Sequence, residues 1–169
     1  MPPPESRLAA VGLGSNLDNP AAQLQRAIEE LSALPRSMLQ ARSPLYRSVA
    51  IGQNGRSVPQ PDFCNAAVLL ETRLPARELL KKLHALEIAH GRRRAARGAA
   101  RCLDLDLLLY GDQVLREPGM TVPHPRLAER NFVLYPLRDI APEIVVPGLG
   151  PVRALAAKLG PEGLRLWRD

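Results

Sequence analysis

The sequence predicts a mixed α/β (α+β) domain built on one antiparallel-rich sheet. Two apolar, strand-like runs are each followed by a proline-opened amphipathic helix, and a later segment alternates leucine with aspartate at the period of a strand. The chain of 169 residues, 46% hydrophobic, holds enough apolar material for one core and not for two of ordinary size. One domain over residues 1–169 is therefore expected, with residues 1–6 as a flexible tail.

Arg7 to Gly14 reads as a buried strand ending in glycines. Asn19-Pro20 then opens a helix with Leu24, Ala27, Ile28, Leu31 and Leu34 at helical spacing. Met38 to Ala50 is β-compatible but carries a Ser-Pro interruption, which predicts a strand that bulges or lies at an edge. Gly52 to Pro61 is a polar Gly/Pro loop, and Asp62 to Thr72 is the next strand. Pro75 begins a helix with Leu79, Leu83, Leu86 and His90 on one face, and Gly91 ends it. In Cys102 to Tyr110, Leu103, Leu105, Leu107 and Leu109 fall on one face, with Asp104, Asp106, Leu108 and Tyr110 on the other. The order is β-α-β-β-α-β, the split arrangement of ferredoxin-like folds, which places two helices on one face of the sheet. Met120 to Glu143 adds a proline-bounded loop and a helix over Asn131 to Ile140, and Val152 to Leu159 makes a short final helix.

Composition excludes several classes. Seventeen prolines and twelve scattered glycines show no collagen-like period. No apolar run approaches the ~18 residues of a membrane helix, and Met1 to Arg7 lacks the charged and apolar regions of a signal peptide. Cys64 and Cys102 form no CxxC and sit in strand-like segments, as buried thiols of a reducing compartment do, so a cytoplasmic protein is expected. The net charge of +6 is local: Arg92, Arg93, Arg94, Arg97 and Arg101 supply five positive charges, and the rest of the chain carries about +1. Arginines outnumber lysines twenty to three, which favours bidentate grip on planar oxyanions and implies a phosphate, nucleotide or nucleic-acid partner.

Alternation puts the carboxylates of Asp104 and Asp106 on one sheet face, their Cα atoms roughly 6.5–7 Å apart. Carboxylates so placed can bracket Mg²⁺, and two ions ~3.5–4 Å apart would fit between them. A half-exposed strand showing solvated aspartates is the alternative. The Arg92 to Arg101 segment, set among glycines and alanines, reads either as a solvated face or as a cationic lid over phosphates. His84, His90 and His124 are too dispersed for a zinc motif. His124, held between Pro123 and Pro125 with Arg126 and Arg130 following, can donate to phosphate or stand as a loop histidine. Gly12-Leu13-Gly14-Ser15-Asn16 lacks the third glycine of a dinucleotide fingerprint, and no P-loop occurs.

Taken together, Gly14-Ser15-Asn16-Leu17, Pro61-Asp62-Phe63-x-Asn65-Ala66-Ala67-Val68, Glu87 before Gly91-Arg92-x-Arg94, Arg101-x-x-Asp104-x-Asp106, Val122-Pro123-His124-Pro125 and Arg130-x-Phe132-Val133-Leu134-x-Pro136-Leu137 resemble the 6-hydroxymethyl-7,8-dihydropterin pyrophosphokinases of the folate pathway. The resemblance implies transfer of the β,γ-diphosphate of ATP to the pterin hydroxymethyl group, releasing AMP. It implies two Mg²⁺ ions on Asp104 and Asp106, with Arg92 and Arg101 also catalytic. Glu87, Arg92, Arg94, Arg97, Arg101, Leu107, Thr121, His124 and Arg130 are the implied ATP-binding residues. Gly14, Ser48, Val49, Ile51, Phe63, Asn65 and Phe132 are those for the pterin. A monomer binding small molecules, with no nucleic acid and no membrane, is the matching expectation.

Two departures stand out. Where the family commonly ends its arginine segment R-W-G-P-R, this chain has Arg97-Gly98-Ala99-Ala100-Arg101, and Gly119 occupies a position where some members have arginine, with Arg116 as a candidate substitute. A basic ferredoxin-like RNA-binding module and a degenerate, non-catalytic paralogue are the competing readings.

Overall fold

The computed structural model describes residues 5–49, 61–91 and 103–168. β1 (Arg7–Ser15) leads into α1 (Pro20–Ser32), with Asn19 in the left-handed region and Pro20 in the first turn, as the Asn-Pro signal predicts. β2 (Ser37–Arg42) and β3 (Tyr46–Ser48) are the interrupted strand. Both pair antiparallel, one after the other, with β4 (Phe63–Thr72). The break at Ser43-Pro44 is compensated locally: Ser43 N–H donates to the Ala67 carbonyl at 2.9 Å, and Ser43 Oγ accepts the Ala67 N–H at 2.9 Å. α2 (Ala76–Ala89) and β5 (Asp104–Tyr110) complete the β-α-β-β-α-β unit. The hairpin of β6 (Leu115–Glu117) and β7 (Met120–Val122) precedes α3 (Asn131–Ile140). Two short strands, β8 (Val145–Val146) and β9 (Gly150–Pro151), precede α4 (Val152–Leu159) and β10 (Leu164–Leu166). In the main sheet the order is β10-β3-β4-β1-β5 with β2 also on β4, every pairing antiparallel, which is the expected ferredoxin-like arrangement.

Helices cover both faces. Leu24, Ile28 and Leu31 of α1 and Leu79 and Leu83 of α2 pack with Val11, Val68, Leu70 and Leu105 on one side. Leu134 and Leu137 of α3 and Val152 and Ala156 of α4 pack with Ala10, Leu69, Leu108 and Leu109 on the other. Each fully buried leucine contributes about 1.5–3 kcal/mol, so the two layers hold the sheet rigid between them. Within the first layer α1 and α2 are also joined by polar contacts: His90, buried at the end of α2, has Nε2 2.5 Å from the Glu30 carboxylate and Nδ1 2.7 Å from the Gln23 amide oxygen.

Three expectations are corrected. Leu108 is an extra residue in β5: Ala10 pairs Leu109 but Val11 pairs Leu107, so the alternation slips. Leu108 stays on the face of Asp104 and Asp106, whereas Leu109 joins it there and Tyr110 turns to the opposite core, its hydroxyl donating to the Leu74 carbonyl at 2.5 Å. Met120 to Val122 is a strand, not loop, because Pro118-Gly119 closes a two-residue turn with Gly119 at φ 75°. β10 escaped the reading because three residues, Leu-Arg-Leu, are too few to show a period.

Candidate active site

β5 is one edge strand of the main sheet, and the candidate site is built along its backbone. Leu105 directs its N–H away from β1, and the buried Glu87 carboxylate of α2 accepts it at 2.8 Å. Period-2 alternation turns the N–H of Leu107 outward as well, while Asp104 and Asp106 pair inward with Gly14 and Gly12. A cleft of about 430 Å³ wraps this edge. On one side it meets Leu80, His84 and Glu87, at helical spacing on α2; on the other it meets Thr121, His124 and Arg130.

Two cross-strand rows form its neighbourhood: Asn65, Gly14 and Asp104 lie side by side on β4, β1 and β5, and Ala67, Gly12 and Asp106 form the next row. Glycine in the middle of each row leaves the sheet face low between the amide and the carboxylates. A Cβ on Gly14 would meet Asn65 Oδ1 at 3.5 Å, and one on Gly12 would meet Leu108 Cδ1 at 3.4 Å. Asn65 is buried and oriented, its Nδ2 donating to Ser48 Oγ at 2.8 Å.

Asp104 and Asp106 are half-buried. His124 is held by its backbone N–H, which donates to the Leu108 carbonyl at 3.0 Å. Its Nδ1 accepts the Arg126 N–H at 3.1 Å, so in the neutral ring the proton sits on Nε2, which faces Asp106 Oδ1 at 3.9 Å. Burial pushes the His124 pKa below its usual value; Arg130 and Arg126 push the same way, against Asp104. Arg130 is drawn below the usual arginine range by burial and raised by Asp106 and Asp104. Across from the Glu87 and His84 side, the cleft therefore presents the carboxylates of Asp104 and Asp106, the Arg130 guanidinium and an N–H donor from the neutral His124 imidazole.

Of the sequence-derived candidates, Glu87, Asp104, Asp106, Leu107, Thr121, His124 and Arg130 line this one cleft. Gly14, Ser48 and Asn65 adjoin it through the Asp104 row and the Ser48–Asn65 bond. Phe63 and Phe132 are half-buried and Val49 is exposed, all outside the cleft lining. Ile51, Arg92, Arg94, Arg97 and Arg101 lie outside the described residues. Leu80, His84, Gly119, Met120 and Pro125 also line the cleft and were not singled out as site residues; the i, i+4, i+7 spacing of Leu80, His84 and Glu87 was the available signal. Gly119 forms the hairpin turn in a conformation that disfavours arginine, and Arg116 is exposed opposite Thr121, outside the lining.

No helix among the described residues is long and apolar enough to cross a membrane. The chain is similar in fold to a crystal structure of Plasmodium falciparum HPPK-DHPS, with a TM-score of 0.70 at 14% identity over 92% of this chain. It spans about half of that much longer protein, 46% of its length. A Pseudomonas aeruginosa protein named 2-amino-4-hydroxy-6-hydroxymethyldihydropteridine pyrophosphokinase is 44% identical over 81% of this chain and 82% of its own. One of the same name from Methylorubrum extorquens is 40% identical over 92% of this chain and 96% of its own. The model of the 7,8-dihydro-6-hydroxymethylpterin-pyrophosphokinase family matches residues 10–142, a span that includes every element from the second half of β1 to the end of α3 and the whole cleft lining, and the chain belongs to that family.

Proposed function

We propose that the cleft around β5 binds ATP and that the adjoining Asn65–Gly14 face binds the pterin, so that the two substrates meet at Asp104 and Asp106. As a member of its family the chain is an ATP-dependent pyrophosphokinase that transfers a diphosphate to 6-hydroxymethyl-7,8-dihydropterin in folate biosynthesis. The observation that carries the placement is the cross-strand row Asn65–Gly14–Asp104, which sets an amide able to donate and accept beside a carboxylate, with no side chain between.

Asp104 and Asp106 suit Mg²⁺. Among the described residues no group of three or more His, Cys, Asp or Glu forms a metal cage. Two carboxylates completed by water and phosphate oxygens are the set that this hard cation takes in phosphoryl-transfer sites. Two ions are proposed, and when bound they would neutralise the polyphosphate and the attacking oxygen. The chain's own groups position the reaction. His124 Nε2–H and the Arg130 guanidinium donate to phosphate oxygens, and the α2 face with Leu107 and Thr121 flanks the nucleoside. Asn65 reads the pterin edge, with Phe63, Phe132, Gly14, Ser48, Val49 and Ile51 around it. Glu87, Arg92, Arg94, Arg97 and Arg101 complete the proposed ATP site, Arg92 and Arg101 as catalytic cations. The bond from the hydroxymethyl oxygen to the β-phosphorus forms as the α,β-bridge breaks; AMP leaves with the bridging oxygen, and the hydroxyl proton is released. We further propose that residues 1–169 act as one domain, a cytoplasmic monomer.

Incubation with ATP, Mg²⁺ and 6-hydroxymethyl-7,8-dihydropterin tests the activity. AMP is expected only when pterin and metal are both present; ADP, or no turnover by folded protein, would overturn it. Among the described residues, the carboxylates of Asp104 and Asp106 on this sheet face repel an RNA backbone and so count against the RNA-binding reading.

A further inference from the structure

The C-terminal segment lies beyond the part of the chain that the family model matches, yet it is built into the sheet beside Ser48 and Phe63. β10 pairs with β3, Leu164 opposite Ser48 and Leu166 opposite Tyr46, and Trp167 N–H donates to the Leu45 carbonyl at 2.9 Å. Trp167 packs against the core on the α1 and α2 side, and the Arg47 guanidinium stacks on its ring with Cζ 3.8 Å from the centroid. Arg47 Nη1 in turn lies 3.5 Å from Asp62 Oδ2. Arg47 immediately precedes Ser48 and Asp62 immediately precedes Phe63, and Ser48 and Phe63 are cross-strand partners.

A half-exposed ion pair at that distance holds little by itself, because two long side chains remain free to swing. Stacking on an indole removes that freedom: the guanidinium is planar and weakly hydrated, and the ring fixes its plane. The same segment is tied to the second aromatic candidate. Asn131, which precedes Phe132, donates from Nδ2 to the carbonyls of Gly160 at 3.1 Å and Glu162 at 2.8 Å.

We infer that Trp167 is a positioning residue for the pterin half of the site: stacked on Arg47 from the face opposite Asn65, it fixes the Arg47–Asp62 bridge that registers Ser48 against Phe63. It acts through these residues and touches no substrate. The inference rests on the reading that Asn65 and its neighbours take the pterin.

The test is steady-state kinetics against each substrate separately on the full chain, with Asn65→Ala as the control on the reading. Trp167→Ala is expected to raise KM for the pterin about threefold to tenfold, with KM for ATP within about twofold of wild type. Trp167→Phe, which keeps a ring under the guanidinium, restores most of the loss. Arg47→Lys keeps the charge opposite Asp62 but not the planar stack, and it gives the same selective rise even if the alanine variant does not fold. A purely structural role would weaken both substrates alike, and that result overturns the inference. So does an unchanged pterin KM in Trp167→Ala when Asn65→Ala raises it. If Asn65→Ala leaves pterin KM unchanged, the placement of the pterin fails, and the inference falls with it.

Discussion

Glu87 joins the α2 side of the cleft, the proposed nucleotide side, to the strand that carries both aspartates, and a pair of substitutions isolates what that joint is worth. Glu87 is buried, and its Oε2 accepts the N–H of Leu105, itself buried, at 2.8 Å. Glu87→Gln keeps an acceptor without the charge; Glu87→Met keeps the length with neither. The cost or relief of removing a buried carboxylate is common to both variants, so their difference reports the orphaned Leu105 N–H. An unsatisfied buried donor costs about 1–3 kcal/mol, and the extra apolar burial of methionine offsets up to about 1 kcal/mol of it. With both quantities taken at mid-range, the expected gap is about 1–2 kcal/mol in favour of glutamine. With a urea slope of about 2 kcal/mol/M, the unfolding midpoints should differ by roughly 0.5–1 M when followed by circular dichroism. Because Leu105 lies between Asp104 and Asp106, the methionine variant should also need more Mg²⁺ than the glutamine variant for half-maximal turnover. A methionine variant as stable as the glutamine variant, or with the same Mg²⁺ requirement, would show that Glu87 does not hold β5 through the Leu105 N–H.

Asp104→Asn and Asp106→Asn should each lower turnover at least about a hundredfold by withdrawing charge from the phosphate site, with the thermal midpoint almost unmoved because both side chains are half-buried in an open cleft; near-full activity in both would remove the metal assignment. Tyr46 donates to Asp139, and burial first, then the Asp139 hydrogen bond, push its pKa up to about 12. The folded state thus keeps a proton that the unfolded state loses from about pH 10, so wild type should lose stability relative to Tyr46→Phe between about pH 10 and 12 and not below, measured as the difference in urea midpoint. His90→Leu should cost about 1–2 kcal/mol in urea unfolding, since it leaves the Gln23 amide and the part-exposed Glu30 carboxylate without their imidazole partner.

Much of the fold could be read from local signals with strong physical causes. Asn19-Pro20 and Pro75 start helices because a missing N–H costs nothing in a first turn, and both helices begin there or one residue later. The Ser43-Pro44 interruption was legible as a break, but not that Ser43 would use its own backbone and hydroxyl to satisfy Ala67. The slip at Leu108 was illegible for a definite reason. Leu107-Leu108-Leu109 is apolar in every register, so the sequence does not mark where alternation stops, and only pairing to Ala10 and Val11 decides it. Nor does an amphipathic helix state which face of a sheet it will cover, so the placement of α3 and α4 opposite α1 and α2 emerged only with tertiary packing.

The site was legible to the extent that its chemistry rides on a strand. Asp104-x-Asp106 share a face because strands alternate, and that geometry holds through the part of β5 that precedes the slip. The slip has its own consequence for function. It keeps Leu108 in the apolar cluster of the aspartate face and turns Leu109 into it too, so the apolar layer is thick where β5 ends and gives way to Asp106 and Asp104 where β5 begins. On that same face β1 carries Ala10 under the helix, then Gly12 and Gly14 beyond it, and β4 carries Leu69 and Ala67 before Asn65. Side-chain size thus falls along β1 and β5 toward one corner of the sheet, where Asn65, Asp104 and Asp106 stand in place of apolar side chains and Phe63 follows Asn65 on β4. A helix packs where the side chains are large enough to meet it. Where they shrink to glycine the layer above the sheet thins, and the half-buried carboxylates of Asp104 and Asp106 line the cleft with the buried amide of Asn65 in the adjoining row. The sequence gradient that ends the core also opens the corner at which we place the substrates.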